Sequence, residues 1–252
     1  MWFLAWLLLL IPAGKGAPTA PFPPNRAILV QQDYRIPLRW SIPGKRFRLR
    51  VFREGQLWRD EMVDGQEFFL HAQRGVPYKW SVESTIGKAK FESEFILASA
   101  FEFRRDGRNG GPGQPGSNGL QIQAELKRDS AGMNLYLRYR QEQYHFLLLE
   151  PEVPFVISAR GGDGGKGLPG RDETATSYAT DGKNGGNAGW GGVVTIRTHD
   201  TPWRKYLVID VSPGQPGEGG SPGYSRDPER SPSSGQSGKP GRPGKIHTQV
   251  GP

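Results

Sequence analysis

The stretch Asp106–Gly119, DGRNGGPGQPGSNG, carries glycine at Gly107, Gly110, Gly113, Gly116 and Gly119, every third position without a miss. The same ruler returns at Gly161, Gly164, Gly167 and Gly170, at Gly214, Gly217, Gly220 and Gly223, and at Gly235, Gly238, Gly241 and Gly244. A polyproline II helix turns once in three residues, so this period puts every glycine on one edge of a rod. An edge without side chains lets another backbone come close.

Working outward, each run is bounded by strand-like sequence. FVISARGGDGGKGLPG leads through the loop RDETATSYAT to DGKNGGNAGWGG and the strand VVTIRT. YLVIDVSPGQPGEGGSPG leads through YSRDPERSPSS to GQSGKPGRPG and KIHTQV in the same order. The opening stretch, between FEFRR and LQIQAEL, reads as a shorter unit with a single run, giving five runs in all. Repetition on this scale argues for folded structure. Three readings stay open. Collagen shares the triplet, but each run has only a few triplets and collagen needs long uninterrupted ones. Disorder suits Gly/Pro/Ser composition, which buries too little to offset chain entropy. An intrachain bundle explains the glycine phase: if the strands flanking a unit pair with each other, its runs must travel out and back side by side.

Runs joined by loops in this way resemble the glycine-rich rod domains of snow flea antifreeze protein and of certain phage tail-tip adhesins. The adhesin resemblance implies receptor contact through the loops at the rod tips, here residues 171–181 and 224–234. It makes Arg171, Thr174, Tyr178, Tyr224, Arg226 and Arg230 candidate binding residues. Ice binding is not expected, because the positions between glycines carry Arg108, Lys166, Glu218, Lys239 and Arg242 rather than a flat Ala/Thr face. Trp190, inside the run GNAGWGG, either fills a gap between rods or stands exposed as a platform. We expect it packed, and keep it among the candidate contacts.

Residues 28–100 follow a different period. Leu38, Trp40 and Ile42 alternate with polar neighbours, as do Phe47, Leu49 and Val51, and again Tyr78, Trp80 and Val82. Pro43-Gly44, Glu54-Gly55 and Asp64-Gly65 break the strands at the short spacing of a sandwich. The segments LRWSIPGKRFRLRVFREG and GVPYKWSV resemble a bacterial fibronectin type III domain, with Trp40 on strand B, Phe47 to Val51 on strand C and Tyr78, Trp80 and Val82 on strand F. That resemblance implies a spacer or recognition module without catalysis. Trp40, Tyr78 and Trp80 are expected in its core. Arg46, Arg48 and Arg50 form either a basic face or an ordinary solvated one.

The chain of 252 residues is 35% hydrophobic, enough for two lean cores, and its net charge of +8 favours anionic partners through salt-sensitive attraction. It opens on an apolar run from Trp2 to Ile11 followed by small residues, the form of a secretory leader over residues 1–17. With no cysteine, no disulfide is expected, and no Asn-x-Ser/Thr sequon occurs. Export without either device leans towards a bacterial envelope protein, periplasmic, surface-bound or secreted. No later segment is apolar enough for a membrane anchor.

Catalytic signatures are missing. His71, His145, His199 and His247 are scattered, and Lys166 and Lys239 lack the Ser/Thr of a phosphate loop. His199 and Asp200 beside Pro202 and Trp203 read as loop chemistry. No cofactor and no metal are expected, although a cation near Asp163 or Asp181 stays open against their reading as turn-formers.

The expected architecture is all-β: a leader at 1–17, a Pro-rich linker at 18–27, a fibronectin-like sandwich at 28–100, and strands with a polyproline II bundle at 101–252. The expected role is non-enzymatic, structural or adhesive, towards another envelope protein or a surface glycan. Two alternatives remain. One is an envelope carbohydrate-active enzyme using acids such as Glu125, Glu142 and Glu150, which would need paired carboxylates at the right separation. The other is electrostatic binding of an anionic polymer.

Overall fold

Residues 21–129, 132–149, 153–198 and 203–251 are described by the computed structural model. Within them lie fifteen strands, two single 3-10 turns at Trp203–Lys205 and Pro228–Arg230, and no α-helix, so the protein is all-β. The expected leader, Glu150, His199, Asp200 and Pro202 fall outside the described residues.

The amino-terminal strands are β1 (Ala27–Val30), β2 (Arg35–Arg39), β3 (Arg46–Arg53), β4 (Gln56–Asp64), β5 (Glu67–His71), β6 (Pro77–Ser84) and β7 (Lys90–Leu97). Alternation does what it predicts: Phe47, Leu49 and Val51 on β3 and Tyr78, Trp80 and Val82 on β6 are all buried. Trp40 follows β2 and lies 6.1 Å from Trp80, ring centre to ring centre. β3 turns into β4 through Glu54 (φ 52°) and Gly55 (φ 81°), left-handed values that suit a tight hairpin. On the outer face Arg48 meets Asp60 at 2.7 Å, and Arg50 lies near Asp60 and Glu83, so the alternating arginines are neutralised in place. Part of the Pro-rich segment is tied down as well, since Phe22 exchanges two backbone hydrogen bonds with Arg39.

Eight strands follow in two groups. β8 (Glu102–Arg104), β12 (Phe155–Ser158) and β14 (Leu207–Asp210) form a parallel three-stranded sheet in the order β14-β12-β8. β9 (Gln121–Asp129), β10 (Gly132–Tyr139), β11 (Glu142–Leu148), β13 (Val193–Thr198) and β15 (Lys245–Val250) join the other half in one ten-stranded sheet, β15-β13-β9-β10-β11-β1-β7-β6-β3-β4. β1 is the seam, parallel to β7 on one side and to β11 on the other. Alternate residues of these seam strands serve different cores. Ala27, Leu29 and Leu147 pack with Ile36, Leu38 and Leu70 beneath the two-stranded β2-β5 sheet. Val30, Phe146 and Leu148 pack with Phe103, Phe155, Ile157 and Leu207 beneath the three-stranded sheet. Successive strand residues point to opposite faces, so the two small sheets cap opposite faces of the long one. β11, apolar on both sides, is central for this reason.

The glycine-rich chain forms six segments, G1 (105–112), G2 (114–120), G3 (159–171), G4 (180–192), G5 (211–223) and G6 (233–244). Asp106–Gly119 is thus two segments: it reverses at Gly113 (φ 68°), where Gln114 N–H donates to the Gly111 carbonyl at 2.9 Å. The strands flanking a unit do not pair with each other. Outgoing strands β8, β12 and β14 pair among themselves, and returning strands β9, β13 and β15 do likewise. The segments keep this order. Outgoing G1, G3 and G5 form one layer through bonds such as Gly107 N–H to Arg160 and Gly164 N–H to Gln215, and G2, G4 and G6 form the other. Antiparallel bonds join the layers, with Gly186 N–H donating to Gly165 and Gly217 N–H to Gly186. Donors recur every third residue, so backbone groups that no sheet uses are satisfied.

The contacts explain the glycines. A methyl carbon placed on Gly107, Gly110, Gly116, Gly161, Gly164, Gly167, Gly170, Gly214, Gly217, Gly220, Gly235, Gly238 or Gly241 would overlap a backbone carbonyl of another segment or of the same hairpin. Glycine pairs mark the inner segments: Gly161 faces G4 and Gly162 faces G1. The last unit ends the array. The lateral donors Gly161, Gly164, Gly167 and Gly170 of G3 correspond, 52 residues on, to Pro213, Pro216, Gly219 and Pro222 of G5. Ala188 and Gly191 of G4 correspond likewise to Pro240 and Pro243 of G6. Proline has no N–H to leave facing a missing neighbour, which blunts that edge.

Gly186→Ala is expected to destabilise the protein by roughly 1–3 kcal/mol or more, because the surrounding backbone cannot yield. Gly111→Ala, which meets nothing within 4 Å, is expected to be neutral or stabilising by up to about 1 kcal/mol. Urea unfolding of both variants checks the contrast.

Candidate binding surface at the segment tips

The loops 171–181 and 224–234 close the far ends of the second and third units, away from the strands. The structure brings them together as one tip. Glu173 N–H donates to the Tyr224 carbonyl and Tyr224 N–H to Asp172 Oδ1, each at 2.8 Å. Glu173 Oε2 accepts from Arg226 N–H at 2.7 Å and from the Ser225 hydroxyl at 3.1 Å. In the first loop Thr174 and Ser177 share a hydroxyl bond of 2.7 Å, while Thr180 clamps the neck, its side chain accepting from Arg171 N–H at 2.8 Å. In the second, Asp227 caps the short 3-10 turn by accepting from Glu229 N–H at 3.0 Å.

On this braced tip Tyr178 and Tyr224 are each 69% exposed. The Arg230 guanidinium lies 4.8 Å from the centre of the Tyr178 ring and is steadied by Asp227 at 3.6 Å. Arg171, Thr174 and Arg226 are exposed around them. The two loops hold three arginines against five acidic residues, so the basic charge of the chain is not concentrated here. The surface offers aromatic rings, hydroxyls and one buttressed guanidinium, suited to stacking and directional hydrogen bonds rather than to bulk attraction.

Trp190 lies elsewhere. It sits on G4 three residues before β13, at the strand end of the segment, with its backbone N–H donating to Asn118 Oδ1 at 2.9 Å. Its ring is 51% exposed with the Arg242 guanidinium 5.5 Å from its centre, which overturns the expectation that it fills a gap between segments. The backbones are too close to admit an indole, so it points outward.

Asp163 and Asp181 are acceptors in the segment array. Asp163 Oδ1 takes Gln215 N–H at 2.8 Å and Arg160 Nη2 at 2.7 Å, and Asp181 Oδ1 takes Ser233 N–H at 2.7 Å. Asp172, Asn184 and Asn187 do the same for residues 52 positions on. Sequence reasoning missed this ladder, although the Asp/Asn residues recur in step with the glycines. Among the described residues no group of three or more His, Asp or Glu side chains is placed to hold a metal. Glu125 and Glu142 fall on opposite faces of the long sheet: Glu125 registers with Tyr136 and through it His145, an odd number of residues from Glu142. They cannot act as a carboxylate pair across one bond. No family model matches the chain, and neither curated proteins nor solved structures match it.

The bond from Ser233 N–H, and then the Ser233 hydroxyl, hold the Asp181 carboxyl below the ordinary aspartate range. A depressed folded value contributes stability above the unfolded pKa that disappears as pH falls through the folded one. Ser233 amide exchange is therefore expected to stay constant from pH 7 to about 5 and, after correction for its intrinsic rate, to quicken below about 4. Asp181→Asn, which keeps the acceptor as Asn184 and Asn187 do, is expected to remove that dependence; hydrogen-exchange mass spectrometry checks it.

Proposed function

We propose that this is an exported, non-enzymatic structural or adhesive protein of a bacterial envelope or surface, which binds a surface glycan or another envelope protein through the joined loop tip. The observation that carries the reading is the pair of exposed tyrosines and their buttressed arginine, held on a tip whose backbone is braced by at least four inter-loop hydrogen bonds. Ordering cost has already been met, so a partner gains affinity without organising the loops first.

The segments are polyproline II rods in this reading. Support comes from donors that recur every third residue, the period of that helix, and from prolines throughout G5 and G6. At 3.1 Å per residue, a rod of ten residues extends the tip about 30 Å from the strands. The amino-terminal half serves as a fibronectin type III-like spacer; the antiparallel run β4-β3-β6-β7 opposed by β2-β5 supports that assignment. Among the described residues no helix is long and apolar enough to cross a membrane.

The triple variant Tyr178→Ala, Tyr224→Ala, Arg230→Ala is expected to lower binding to whole bacteria or envelope fractions about tenfold or more. Its thermal midpoint should stay within about 2 °C of the parent, because exposed side chains contribute little to folding. Unchanged binding in a cell pull-down would remove the tip from the reading.

A further inference from the structure

The two small sheets leave one face of each half of the long sheet uncapped, and the uncapped face of the carboxy-terminal half is concave. Its groove, of about 730 Å³, runs across β11, β10, β9, β13 and β15 and is bounded on one side by Asn25 and Arg26. That is the size of a ligand site. We infer that this groove binds an acidic oligosaccharide, at a site separate from the loop tip.

Charge is the first argument. Arg26, Arg138 and Arg197 line the groove, and among the described residues none of these guanidinium groups has an ion-pair or hydrogen-bond partner. Other arginines on open strand faces meet a carboxylate, as Arg39 does with Glu67, Arg48 with Asp60 and Arg50 with Asp60 and Glu83. Glu125 is the one acid in the lining. Unpaired cations gathered in a concavity await an anion.

Spacing selects a chain over a single ion. Arg138 registers with Gln123 and through it Thr195, while Arg197 lies two residues beyond Thr195 and two strands away from β10. With strands about 4.8 Å apart and about 3.3 Å per residue, the two guanidinium-bearing positions are about 12 Å apart. One carboxylate cannot bridge them; successive charges on an extended chain can.

Chemistry between the cations selects sugar. Gln123, Gln143 and Gln249 and the Thr195 hydroxyl present neutral donors and acceptors, which suit vicinal hydroxyl groups. Tyr136, 42% exposed, supplies a platform for the apolar face of a sugar ring. Its ring is fixed by stacking on His145 at 4.5 Å, and His145 Nε2 is in turn hydrogen-bonded to Asn134 Oδ1 at 2.7 Å. A nucleic acid strand, with a phosphate at every nucleotide, would find too few cations and would meet Glu125.

Calorimetric titration of the purified protein at about 0.15 M salt tests this, where weak long-range attraction is screened. The probes are oligogalacturonate, neutral malto-oligosaccharide, oligo-dT and oligoglutamate. Oligogalacturonate is expected to bind and the other three to bind at least about tenfold more weakly. Arg138→Gln with Arg197→Gln should weaken oligogalacturonate binding about tenfold or more at an unchanged melting midpoint, and Tyr136→Ala should weaken it as well. The tip triple variant should bind it like the parent, so loss of the tip reading leaves this one standing. No oligogalacturonate binding, equal affinity in the arginine double variant, or tighter binding of oligo-dT or oligoglutamate would each overturn the proposal.

Discussion

Backbone meets backbone in this protein with no side chain between, and the rest of the structure depends on that contact. An N–H of one glycine-rich segment reaches a carbonyl of the next at about 2.8 Å, repeated every third residue, and the approach leaves no room for a Cβ. Glycine makes such contact possible at a high entropic cost, since it is the residue with most freedom to lose. Regular hydrogen bonds offset the cost, and prolines in G5 and G6 lessen it by restricting the unfolded chain. The flanking sheets add what the segments lack, an apolar core with residues of β8, β9, β12, β13 and β14 that holds the strand ends of G1 to G5 in register.

From this follows the placement of the two surfaces. Because outgoing strands pair with outgoing strands and returning with returning, each unit stacks on the previous one in the same orientation, and the loops of the second and third units meet at one end. The same stacking leaves the returning strands as half of a long sheet whose own cap lies on the opposite face, so their polar side faces a concavity. Tip and groove are thus by-products of one topology, at different places and with different chemistry: aromatic and hydroxyl at the tip, cationic and amide in the groove.

Much was legible in residue order. Alternation placed Trp40, Phe47, Leu49, Tyr78 and Trp80 inside, and the glycine period announced close backbone contact. The loops 171–181 and 224–234 were visible as the gaps between runs. Other features were not. Asp106–Gly119 reads as one unbroken run because a turn at Gly113 keeps the three-residue phase, so only its φ of 68° reveals the reversal. Trp190 sits among glycines as a core residue might, yet its neighbours are too close to admit it. Asp163 and Asp181 read as turn-formers or cation ligands, because their partners lie 52 residues away.

Periodicity and composition by themselves determined the class of structure: strands where apolar residues alternate, and bare-edged segments where glycine keeps a period of three. These are local properties, set by the geometry of one to three residues. Tertiary structure alone decided which strands share a sheet, that the loops meet, and that Arg138 and Arg197 line one groove. Those outcomes rest on pairings between residues tens of positions apart, chosen by which faces bury together, and no local period encodes that choice.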